Sequence, residues 1–127
     1  MDTLLIEGSA KTPTIKFDSK AGLIEIKGRS IPENSIEFYK PLIDWLEKYS
    51  SSPQPNTTVN IQLEYFNTSS SKCILDVFKK LESINKGGNS EVVINWHYEE
   101  DDEDMSEAGE DYQAIINVPF KMVMVQE

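Results

Sequence analysis

The spacing of the apolar residues changes abruptly near the middle of the chain, and that change limits the folds available. From Thr57 to Phe66 (TTVNIQLEYF) apolar and polar residues alternate. Val59, Ile61, Leu63 and Tyr65 fall on one side and Asn60, Gln62 and Glu64 on the other, which is the repeat of a half-buried strand. Beyond it Ile74, Val77, Phe78, Leu81 and Ile84 recur at intervals of three and four, the repeat of an amphipathic helix. Between the two lie Asn67, Thr68, Ser69, Ser70 and Ser71. A strand that runs straight into a helix at these residues sets their side chains beside unpaired backbone N–H groups, at the positive end of the helix dipole. Such a corner suits a phosphate. One of these residues must cap the helix, since Asn, Ser and Thr are preferred there. A cap uses one side chain, however, and the run supplies five in succession.

The flanking sequence supplies a scaffold for this corner. Thr3 to Ile6 is a short extended piece, and Thr14 to Phe17 with Leu23 to Lys27 enclose a turn in which Gly22 provides the permissive backbone of a hairpin. Gly28 to Pro32 (GRSIP) then breaks the strand pattern and leads into a helix near Glu33 or Asn34. Ile36, Tyr39, Leu42, Ile43, Leu46 and Tyr49 share its apolar face, with Trp45 near the edge. Pro41 lies inside this helix and is expected to kink it. Ser50 to Asn56 (SSSPQPN) is too short for a domain boundary and reads as a loop.

The second helix is expected from about Ser71 to Lys86, stopped by Gly87 and Gly88. A strand follows from Glu91 to Tyr98, with Val92, Ile94, Trp96 and Tyr98 on one face. A third helix carries Met105, Ala108, Gly109, Tyr112 and Ile115 as its stripe, and Phe120 to Val125 closes as a strand with Met122 and Met124 packing the core. Strands separated by single helices give an α/β fold: residues 1–127 as one domain, a mixed sheet with parallel neighbours and about three helices packed on it.

Composition removes several classes of function. Twelve basic residues against 22 acidic ones leave a net charge of −10, which repels nucleic acid and anionic lipid alike. A protein partner is the better expectation, with complementary charge speeding its approach. No apolar run is long enough to span a membrane. The first residues, MDTLLIEGSA, lack the basic start of a secretory signal, and one cysteine allows no internal disulfide. Both point to the cytoplasm.

The most conspicuous composition is Glu99 to Asp104, followed by Glu107, Glu110 and Asp111. Clustered carboxylates are what a hard cation needs, and an acidic metal- or small-ligand-binding domain using Glu99 to Asp111 is the alternative reading of the chain. The run departs from the calcium-loop template. With Asp102 at position one, Glu107 stands where the turn glycine belongs and Gln113 where the bidentate Glu belongs. Acidic residues gathered at a helix start, where they complement the dipole, account for it without a metal.

Catalytic groups are sparse. The single histidine, His97, alternates to the face opposite Trp96 and Tyr98, and Cys73 near the start of the second helix reads as a small semi-buried apolar residue. Neither G-x-S-x-G nor a glycine-rich phosphate loop is present. No reaction and no cofactor follow from these residues.

The run FNTSSSK (Phe66 to Lys72), set between strand and helix, resembles the phosphorylation corner of STAS domains, the anti-sigma-factor antagonists. More closely, GRSIPENS (Gly28 to Ser35), FYKPLIDWLEKY (Phe38 to Tyr49), YFNTSSSK (Tyr65 to Lys72), WHYEEDDEDMSEAGEDY (Trp96 to Tyr112) and NVPFK (Asn117 to Lys121) together resemble the SiaC family of regulatory phosphoproteins. The resemblance implies a STAS-like fold and a non-enzymatic adaptor in a bacterial partner-switching pathway. It places the phosphate on Thr68, written by a protein kinase and removed by a phosphatase, with Asn67, Ser69, Ser70 and Ser71 as neighbours. It also implies that the unphosphorylated form binds a target protein, typically a diguanylate cyclase.

Overall fold

The computed structural model describes residues 3–126. Six strands, β1 (Leu4–Ile6), β2 (Thr14–Asp18), β3 (Leu23–Ser30), β4 (Asn56–Phe66), β5 (Glu91–Glu99) and β6 (Phe120–Val125), lie side by side in chain order. β1, β2 and β3 pair antiparallel, and β3 through β6 pair parallel. Parallel neighbours cannot be joined by a tight turn. The three crossovers are accordingly the helices α1 (Ser35–Tyr49), α2 (Thr68–Lys86) and α3 (Glu103–Ile115).

The strand pattern decides where those helices sit. In register across the sheet, Ile24, Val59 and Ile94 form one row and Ile26, Ile61 and Trp96 the next, and all six are fully buried. Leu42 and Leu46 of α1, Ile74, Val77, Phe78 and Leu81 of α2, and Met105 and Tyr112 of α3 close over this side. The intervening residues face the other way and are polar. There Asn95 Nδ2 donates to Asn60 Oδ1 at 3.0 Å and Asn60 Nδ2 to Glu25 Oε2 at 3.3 Å. Among the described residues the sheet is thus covered on one face only, and its alternation is readable for that reason.

Departures from the expected pattern have local causes. The sheet was expected to end at Gly28, but β3 runs on to Ser30. Gly28 holds φ at 113°, in the region open to glycine. Beside it the pairing skips: Gly28 lies opposite Leu63 and Arg29 opposite Tyr65, leaving Glu64 as an extra residue in β4. A bulge of this kind exchanges the faces of whatever follows it. Tyr65, expected in the core, is therefore 56% exposed, while Phe66 turns inward and meets Trp96 edge-on at 6.2 Å.

Three further apolar residues expected inside are exposed, all at the ends of elements: Ile36 in the first turn of α1, Ile115 at the last residue of α3 and Met124 near the end of edge strand β6. Helix α1 passes through Pro41 as one continuous helix from Ser35 to Tyr49. In the hairpin, Gly22 has φ 64°, and a Cβ there would stand 2.4 Å from the Asn56 carbonyl oxygen.

Candidate functional site

The carboxyl edge of the parallel strands is where α1 and α2 begin, and there the run Asn67 to Ser71 is divided among distinct environments. Asn67 is the cap: its Oδ1 accepts the Ser70 N–H at 2.9 Å, and its own N–H donates to the Ser30 carbonyl at 3.0 Å. Helix α2 therefore starts at Thr68, three residues before the expected Ser71. Serine and threonine are weak in helix interiors but suit a first turn, where their hydroxyls meet groups the helix leaves unpaired.

Ser70 is fully buried. Its hydroxyl donates to the Ser30 carbonyl at 3.0 Å and accepts from Ser30 Oγ at 2.9 Å, and Ser30 Oγ lies 2.6 Å from Tyr39 Oη. Ser71 Oγ lies 3.1 Å from Tyr112 Oη, which donates to the Ser71 carbonyl at 2.8 Å. Ser69 Oγ is 2.7 Å from Ser35 Oγ on α1 and donates to Asn67 Oδ1 at 3.1 Å. Thr68 differs from all three. It is exposed at the first helical position, and its hydroxyl makes no hydrogen bond to any described residue.

The electrostatics match. The backbone N–H groups of Thr68 and Ser69 have no partner among the described residues, as the opening of a helix dictates. Helix α2 carries no acidic residue in its first turn, whereas α1 carries Glu37 and α3 carries Glu103 and Asp104. The nearest charge along α2 is the exposed Lys72, one turn on from Thr68. Burial pushes the phenols of Tyr39 and Tyr112 above their ordinary range, so both stay protonated and able to donate. Beside the corner, exposed Ile36 lines a groove of about 310 Å³ between α1 and α2, with Tyr39, Ile43 and Cys73 on its walls.

The other sequence candidates do not come together. Cys73 is buried on the core side, where desolvation, and then Asp76, pushes its thiol up, the opposite of what an activated thiolate needs. His97 lies across the sheet on the open face, its pKa lowered first by burial and then by Lys27. The acidic run is spread over several structures. Glu99 ends β5, Asp102 caps α3 by accepting the Met105 N–H at 3.0 Å, and Glu103 and Asp104 fill its first turn. Among the described residues no three His, Cys, Asp or Glu side chains are grouped to hold a metal ion. None of the described helices is long and apolar enough to cross a membrane.

Sequence reasoning passed over Ser30, Ser35, Tyr39 and Tyr112, which supply the partners of the three serines. No local pattern marks them, because each partner is 34 to 41 residues away from the serine it holds, apart from Tyr39, which acts through Ser30.

The fold is a single-domain α/β layer, six strands with three helices, that presents the exposed Thr68 hydroxyl at the start of α2. Residues 6–125 match the family described as SiaC family regulatory phosphoprotein, and the chain belongs to that family. It is 36% identical over 120 residues, 94% of both chains, to an uncharacterized protein of Pseudomonas aeruginosa strain UCBPP-PA14. The fold is shared with apo-SiaC from Pseudomonas aeruginosa, at a TM-score of 0.88 and 35% identity over 97% of this chain and 99% of that one. It is also shared with a chain in the crystal structure of diguanylate cyclase SiaD in complex with its activator SiaC, from the same species. The TM-score there is 0.89 at 34% identity, over 96% of this chain and 99% of that one. The family's role is regulatory, exerted on a partner and not by catalysis.

Proposed function

We propose that this protein is a cytoplasmic switch whose state is set at Thr68: a protein kinase phosphorylates the threonine, a phosphatase restores it, and only the unmodified form engages the target. The target class is a diguanylate cyclase, in keeping with the complex formed by its relative. The observation that carries the reading is the contrast within one turn of helix, where the Thr68 hydroxyl alone among four is exposed and unbonded.

The physics of the switch follows from that position. A phosphoryl group adds roughly 1.5 to 2 negative charges and three acceptor oxygens at neutral pH. The unpartnered N–H groups of Thr68 and Ser69 and the positive end of α2 can receive them, so the modified domain stays folded. A partner lying across Thr68 and Ile36 has to cover the same atoms. It would bury a dianion whose hydrogen-bonding needs the helix meets only in part, and that cost releases it.

The test is direct. Incubated with its kinase and ATP, the wild-type chain should gain one phosphate, located on Thr68 by fragmentation mass spectrometry, and lose affinity for the cyclase. Thr68→Ala should take no phosphate and still bind, and Thr68→Asp should bind weakly. Equal affinity of the phosphorylated and unmodified chains for the cyclase would overturn the proposal.

A further inference from the structure

Four neighbouring hydroxyls pose a problem of selection, and the hydrogen bonds around them contain an answer. Ser69 is exposed, like Thr68, and directly follows it in the first turn of α2. Exposure therefore does not separate the two.

The donor directions do. Ser69 Oγ gives its proton to Asn67 Oδ1 at 3.1 Å, so across the 2.7 Å contact it is Ser35 Oγ that donates and Ser69 Oγ that accepts. Ser35 is only 4% exposed, sits at the first position of α1, and lies 3.4 Å from Ser70 Oγ as well. Phosphoryl transfer needs a lone pair on the attacking oxygen aimed at phosphorus, with room for the donor. On Ser69 one lone pair receives the Ser35 proton, and the pair of bonds holds Oγ against the other helix. Ser70 is walled in by Ser30, and Ser71 is held by Tyr112, as described above.

We infer that Ser35 is a specificity-determining residue for the modification: by donating to Ser69 it withdraws the second accessible hydroxyl of α2 and leaves Thr68 as the single acceptor. This rests on the reading of Thr68 as the phosphorylated residue. In the reaction at issue the acceptor oxygen forms a bond to the γ-phosphorus of ATP as the bond from that phosphorus to the β–γ bridging oxygen breaks. ADP leaves, and the hydroxyl proton passes to a base of the kinase. The role of Ser35 is to keep Ser69 out of that step.

The experiment compares Thr68→Ala with the double variant Thr68→Ala, Ser35→Ala, using ATP and the kinase that modifies the wild-type chain, with phosphate located by fragmentation mass spectrometry. Phosphate should appear on Ser69 at least about fivefold faster in the double variant, the rate equivalent of releasing one hydroxyl hydrogen bond. A second double variant, Thr68→Ala with Ser35→Thr, keeps the donor and should return to the slow rate, which separates loss of the hydroxyl from loosening of the fold. Equal rates of Ser69 modification in Thr68→Ala and in its Ser35→Ala derivative, whether both fast or both nil, would overturn the inference and place the selection in the kinase. Failure of the underlying reading is seen separately, as wild-type protein that takes up no phosphate on Thr68.

Discussion

Helices α2 and α3 both begin at the carboxyl edge of a parallel strand with a side-chain oxygen capping the third helical N–H, and they differ in charge. At α3 the cap is Asp102, and Glu103 and Asp104 follow, so fixed carboxylates already answer the positive end of the dipole. At α2 the cap is the neutral Asn67, and the first turn is hydroxyl only. The first arrangement is permanent. The second leaves a favourable position for negative charge vacant at the residue whose hydroxyl is free, the position at which the proposed phosphorylation would add it. Two helix starts of one architecture thus differ in whether their positive end is already answered by charge, and under the proposed function the unanswered one is the switch.

The largest effect that could break this comparison is on binding. Covering phosphorylated Thr68 with a partner is expected to cost about 3 to 5 kcal/mol, the range for a buried charge left without its partner, which is more than a hundredfold in affinity. Titration calorimetry of the cyclase against modified and unmodified chain measures it. Phosphate or its mimic placed in the first turn of α3, for instance Ser106→Asp, should leave that affinity unchanged.

Next in size is a test of whether α3 is purely structural. Gly109 lies against Trp96, and a Cβ at that position would stand 2.5 Å from Trp96 Cδ1, 2.7 Å from Nε1 and 2.8 Å from Met122 Cε. The indole cannot swing away cheaply. Its Nε1 donates to the Met105 carbonyl at 3.0 Å, and it packs among Phe66, Phe78, Tyr112 and Phe120. Gly109→Ala should destabilise the fold by about 1 to 3 kcal/mol through overpacking, read from urea denaturation. Below its melting temperature, the rate of Thr68 phosphorylation should match wild type. A slower rate would show that the two helix starts are coupled, with the Tyr112 to Ser71 contact as the evident route.

How much of this was open to sequence reasoning depends on the range of the interaction. The change from alternation to helical spacing located the corner because one face of the sheet is wet and each strand therefore advertises its sides. The acidic helix start was readable for the same local reason. The bulge at Glu64 was hidden: Tyr65 and Phe66 are both aromatic, so either could have been the inward residue, and the choice is made by pairing with Gly28 on another strand. Likewise nothing near Ser69 announces Ser35, 34 residues earlier. The serines form the first turn of α2, whereas helix propensity, which weighs helix interiors, puts the start at Ser71. Thr68 itself is singled out by the family resemblance, and its exposed place at the first position of α2 supports the proposed role.

Removing each cap compares the two starts at about 1 kcal/mol apiece. Asn67→Ala deletes the acceptor of the Ser70 N–H and of the Ser69 hydroxyl, and Asp102→Ala the acceptor of the Met105 N–H. Similar losses of stability are expected by chemical denaturation, but only Asn67→Ala should also alter phosphate uptake.

The smallest effect is the most pointed, because it exchanges the cap charges without removing a cap. Asn67→Asp places a carboxylate where α2 has none, and Asp102→Asn takes one from α3, with either side chain still able to accept the same N–H. If the α2 start is an unanswered positive end, Asn67→Asp should stabilise the protein by about 0.3 to 1 kcal/mol and Asp102→Asn should destabilise it by a similar amount at low ionic strength. The net charge of −10 works against the first change, so a gain there can come only from the local field of the helix. Both effects should shrink in about 1 M salt, where screening acts within roughly 3 Å. Asn67→Asp should also slow phosphorylation of the adjacent Thr68, since the incoming dianion meets a charge already in place. Stability that falls in Asn67→Asp at low salt would mean that the start of α2 holds no vacancy for negative charge, and its contrast with α3 would lose its physical basis.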